Sequence, residues 1–162
     1  MESLVILAPA AGLLALAFAL FLTLRVVRAE AGTARMQEIA AAIHEGAMAF
    51  LMREYRVLAV FITVLFIVLA FAINIQTAVC FLFGALCSIG AGFIGMNVAT
   101  QANVRTANAA RQGQGQALNI AFSGGAVMGM SVVGLGLLGL GIFYIIFRDP
   151  TIVNGFGLGA SS

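Results

Sequence analysis

No Asp, Glu, Lys, Arg or His occurs between Arg56 and Arg105. A run of that length is too long for one ordinary helix and too apolar for a water-soluble core. A hydrocarbon core is about 30 Å thick and takes about 20 apolar residues per helix. Residues 57–104 therefore suffice for two crossings, and the polar residues 74–77 supply the turn between them. Residues 3–24 and 112–147 lack charge in the same way. Only 9% of the residues are charged and 62% are hydrophobic, against about 25% charged in soluble proteins. The expected fold is all-α, a polytopic membrane helix bundle. Its spans fall at about 3–25, 56–74, 78–100 and 118–147, and a fifth helix begins near 156–162.

Other absences narrow the function. The net charge of +2 comes from Arg alone, with no Lys, and is too small to suggest a nucleic-acid partner. Cys80 and Cys87 are the two cysteines. Two helical turns separate them by about 10 Å, which excludes a disulfide between them. None of the three long apolar runs holds an ionisable group of the kind that proton relays use, so the chain has no relay of its own. A secretory signal is disfavoured because Glu2 stands where a basic n-region belongs, and Arg25 and Arg28 follow a run of full span length.

Arginine placement orients the chain. Arg25, Arg28, Arg35, Arg53 and Arg56 fall between the first and second spans, Arg105 and Arg111 between the third and fourth, and Arg148 alone on the other side. The positive-inside bias predicts that the two Arg-bearing connections are cytoplasmic and that the N-terminus lies outside. Residues 29–56 are rich in helix formers. They predict a helix capped by Thr33 that runs on into the second span, with Ile39, Ala42, Ile43, Ala47, Phe50, Leu51 and Glu54 along one stripe. The Ala-rich residues 99–111 extend the third helix likewise.

Small residues recur at i, i+4 as Gly84, Ser88 and Gly92, and as Ala121, Gly125 and Gly129, patterns that let helix backbones approach in lipid. Asn97, Gln101 and Arg105 form a polar seam continued by Asn108 and Gln112. The seam fits either a water-filled vestibule or hydrogen bonding to other helices, and the second is the expectation. His44 and Glu45 point about 100° apart on a helix and cannot act on one atom. Gly113-Gln114-Gly115 lacks the Lys and Ser/Thr of a phosphate-binding loop. Residues 123–141 are glycine-rich in the manner of a rotary-synthase ring subunit but lack its midplane carboxyl. No catalytic, cofactor-binding or metal-ligating residue is predicted.

Residues 92–141, GFIGMNVATQANVRTANAARQGQGQALNIAFSGGAVMGMSVVGLGLLGLG, resemble the membrane-integral, ion-translocating pyrophosphatases. So do MQEIAAAIHEGAMAFLMREYR at 36–56 and NGFGLGASS at 154–162. The resemblance covers about residues 33–162. It implies a homodimeric pump of about sixteen spans per subunit in a bacterial inner membrane, with this chain resembling the first four helices and the start of the fifth. It further implies that pyrophosphate and magnesium are held by Asp and Lys clusters on later helices, and that hydrolysis drives proton translocation. The first acidic motif of the family, of the type DVGADLVGKVE, would begin beyond Ser162. The expectation is an N-terminal fragment, inactive alone, whose partners are lipid and the remaining helices of the pump. The alternatives are a structural or accessory membrane subunit without catalysis, and a small oligomeric channel, which the lack of intramembrane charge disfavours.

Overall fold

The computed structural model describes residues 2–161, and the side chains of 6–161. Five helices follow one another with short connections: α1 (Glu2–Arg28), α2 (Ala34–Ala72), α3 (Ile75–Ala110), α4 (Gln114–Phe147) and α5 (Pro150–Ala160). No strand occurs among the described residues. Four helices are long and apolar enough to cross a membrane: Ile6–Arg28, Ala34–Ala72, Ile75–Ala110 and Gln114–Phe147. Side chains such as Phe71 (89% exposed) and Phe122 (73%) point away from the bundle, as lipid-facing residues do when the solvent is hydrocarbon. The chain is an integral membrane protein.

The helix starts are set by capping chemistry. Thr33 accepts from the Met36 amide at 3.4 Å, and Asn74 from the Thr77 amide at 2.7 Å. Each satisfies one of the donors left over in a first turn. The turn between α2 and α3 is therefore tighter than residues 74–77 suggested, since Ile75 already belongs to α3. The fifth helix, expected near 156, begins at Pro150, because Asp149 caps it by accepting from Thr151 at 2.8 Å and Pro150 supplies a ready-made first position.

Helix α3 is the hub and packs against α1, α2, α4 and α5, whereas α2 packs on α3 alone among the described residues. Ala19, Leu22, Val26, Val98, Ala102 and Val127 join α1, α3 and α4. Ile62, Leu69, Ala78, Phe81 and Ala85 join α2 to α3. Close backbone approach sets the α3–α5 contact. A Cβ at Gly84 would strike the Phe156 carbonyl, and one at Gly159 would strike the Phe81 carbonyl. Phe143 of α4 closes this end, its ring 5.3 Å from Phe83 and 5.9 Å from Phe156. Between α1 and α4, Gly12 lies against Gly134, and Pro9 against Gly141.

Two expected faces are only partly covered within this chain. On α2, Leu51 is buried and packs toward α3 with Tyr55, whereas Ile39, Ile43 and Phe50 are 49%, 46% and 59% exposed, the first two bordering an open groove toward α3. On α4, Ala121, Gly125 and Gly129 are exposed, with nothing near either glycine. Ser123, Gly124, Val127, Ser131 and Gly134 are buried instead. The Gly84, Ser88, Gly92 row is divided: Gly84 meets α5, while Ser88 and Gly92 border a groove toward α2.

Candidate functional site: a polar clamp at the arginine-bearing end

The predicted seam Asn97, Gln101 and Arg105 lies on the last turns of α3, beside the end of α1. The Gln101 side-chain amide donates to Asn97 Oδ1 at 2.7 Å, and one Arg105 Nη donates to the Gln101 carbonyl at 2.9 Å. The remaining Arg105 donors leave the helix. Nε reaches the Ala29 carbonyl and the other Nη the Val27 carbonyl, both at 3.1 Å. Asn108 is buried and donates to the Glu30 carbonyl at 3.3 Å.

The chemistry is that of a helix end. The last four carbonyls of α1 have no partner within the helix, and a cation beside them also meets the negative pole of the helix dipole. The Ala29 amide takes the Val26 carbonyl at 3.1 Å, and Arg105 takes the next one. Gly32 then turns the chain at φ +80, a backbone conformation that glycine adopts without strain. A Cβ there would also crowd Met36 Sδ at 2.8 Å and Asn108 Oδ1 at 3.0 Å. The seam thus fastens α1 and its linker to α3.

His44 takes part in a second fastening. Its Nδ1 is 2.9 Å from Thr100 Oγ1, which donates its hydrogen to the Asn97 carbonyl at 2.9 Å. With that hydrogen committed, Nδ1–H is the donor, a bond available to neutral imidazole and imidazolium alike. Deeper in the bundle, Tyr55 Oη donates to the Ile89 carbonyl at 3.0 Å. Glu45 does not join His44, and Arg35 pairs with Glu38 at 2.7 Å on the exposed surface.

Sequence reasoning placed the seam but missed its partners, because backbone carbonyls carry no residue signature. The available signal was an arginine on a polar stripe, with a glycine four residues past the end of the first apolar helix. No group of three His, Cys, Asp or Glu that could hold a metal ion occurs among the described residues. The seam does not fit a magnesium site, since it offers amides and carbonyls already taken by the Arg105 cation and no carboxylate side chain.

Comparison with known proteins supplies what this geometry does not. The family described as "Inorganic H+ pyrophosphatase" matches residues 13–162. A Clostridium tetani protein provisionally named a K(+)-stimulated pyrophosphate-energized sodium pump is 60% identical over 100% of the chain. The K(+)-insensitive pyrophosphate-energized proton pump of Methanosarcina mazei is 47% identical over 99% of it. The "K(+)-insensitive pyrophosphate-energized proton pump 2" of Moorella thermoacetica is 45% identical over 94%. The chain spans about a quarter of the length of these curated relatives, 24% of each.

Proposed function

Because the chain belongs to the inorganic H+ pyrophosphatase family, we propose that it is the N-terminal portion of a pyrophosphate-energised ion pump. The observation that carries this reading is the family match over residues 13–162. The whole protein hydrolyses pyrophosphate and couples the released free energy to ion transfer across the bilayer. The ion is a proton or sodium, since the relatives' names divide between the two.

In this reading the five helices are scaffold. Magnesium neutralises and positions the substrate phosphates when bound, and its ligands belong to the part of the pump outside this chain. The protein is a homodimer in a bacterial inner membrane. The Arg-bearing connections α1–α2 and α3–α4 are cytoplasmic, and Arg148 and the N-terminus lie outside, as the arginine asymmetry favours. The contribution of this segment is positional: α3 holds four neighbours, and the Arg105 clamp fixes the end of α1 at the cytoplasmic surface.

Phosphate release from magnesium pyrophosphate tests the proposal. Membranes carrying the whole open reading frame are expected to release phosphate, and membranes carrying residues 1–162 alone are not. Hydrolysis by the short chain, or none by the whole frame, contradicts it. Acidification and sodium uptake, read in sealed vesicles of the active protein, identify the ion.

A further inference from the structure

Between the extended ends of α2 and α3 runs a groove of about 210 Å³. Met36, Ile39, Ala40 and Ile43 form one wall, Val104 and Ala107 the other, and Asn103 is its one polar side chain. Ile39 and Ile43 are about half exposed. From Arg53 to Ala72, α2 is about 30 Å long, the thickness of a hydrocarbon core. Ile43 stands about 15 Å further along the axis, beyond the reach of acyl chains. Leaving aliphatic surface in water costs about 25 cal/mol per Å².

We infer that this groove seats an uncharged, aliphatic segment of the longer pump's own chain, on its aqueous side. No charged residue lines the groove, which disfavours a headgroup or an acidic or basic peptide. A second copy is a poor fit as well. A stable dimer buries about 1,600 Å², whereas this groove has room for only a few side chains. A tethered segment needs far less area, because its effective concentration is already high. The inference rests on the pump reading, since the relatives are about four times as long as this chain.

Cysteine accessibility in the full-length protein tests it. In a background with Cys80 and Cys87 replaced by Ala, Ile43→Cys, Ile39→Cys and the exposed-face control Glu45→Cys are treated with a membrane-impermeant maleimide. Vesicles with the Arg-bearing side outward are used, and phosphate release is assayed on the same samples. The two groove positions should react about tenfold more slowly than the control, as expected of groups freed only by local opening. A photo-crosslinker on Ile43→Cys should form adducts within one chain. Equal labelling rates in an active preparation overturn the inference and leave the pump reading intact. Adducts of doubled mass overturn it in favour of a second copy, and lack of hydrolysis by the unmodified protein counts against the pump reading instead.

Discussion

At Arg105 one guanidinium donates to the carbonyls of Gln101, Val27 and Ala29. Charge-assisted hydrogen bonds of this kind contribute about 1.5–3 kcal/mol when they are well shielded. Arg105 is only half-buried, so Arg105→Ala is expected to cost about 1 kcal/mol. Thermal denaturation of the detergent-solubilised pump measures the loss, and an unchanged midpoint would remove the clamp from the account. Arg105→Lys should recover only part of it, because an ammonium cannot span two carbonyls with the same planar geometry. Thr77 poses the opposite case. Its hydroxyl is buried without a hydrogen-bond partner among the described residues, while its carbonyl and methyl group lie against Gly155 of α5. Thr77→Val removes that unpaired group at similar volume and should raise the same midpoint by about 1 kcal/mol in stability. A lowered midpoint would mean that the hydroxyl has a partner in the assembled protein. Arg105 was legible in the sequence as one position of a polar stripe. Its acceptors were not, because main-chain carbonyls are the same at every residue.

At the scale of elements, α5 depends on bare backbone. Gly84, Gly155 and Gly159 let α3 and α5 touch main chain to main chain, and in lipid such van der Waals contact replaces the hydrophobic effect as the force between helices. Gly159→Val places a branched side chain against the Phe81 carbonyl and should cost at least about 1–3 kcal/mol, the usual range for overpacking. Cross-linking between cysteines on α3 and α5 should fall with it, and retention of full cross-linking would show that this contact is dispensable. The same physics explains which faces were readable. Thr33 announces a helix start by its capping chemistry, whereas the caps Asn74 and Asp149 start α3 and α5 earlier than the apolar runs alone suggest. The stripe Ala121, Gly125 and Gly129 had the right spacing, yet Gly124, Val127 and Ser131 are the buried set. Within hydrocarbon both the lipid side and the protein side of a helix are apolar, so periodicity marks the helix without telling which side meets a neighbour.

For the whole molecule, solvent is the deciding quantity. The charge-free stretches identified a four-span helical bundle because an unpaired charge in hydrocarbon is expensive, and that penalty leaves its trace in composition. The order of contacts around α3 left no such trace, since it follows from small residues whose partners lie far along the chain. The bundle is also open: among the described residues α2 touches α3 alone, and Ala121, Gly125 and Gly129 are exposed. These are the properties of a segment completed by lipid and further helices. The crossing pattern itself is tested by single cysteines at Gln76, in the first turn of α3, and Gln112, just past its other end, both exposed. In intact cells an impermeant maleimide should label Gln76→Cys directly and Gln112→Cys only after permeabilisation. Labelling of both positions from the same side would contradict a bundle that crosses the bilayer with its arginines inward.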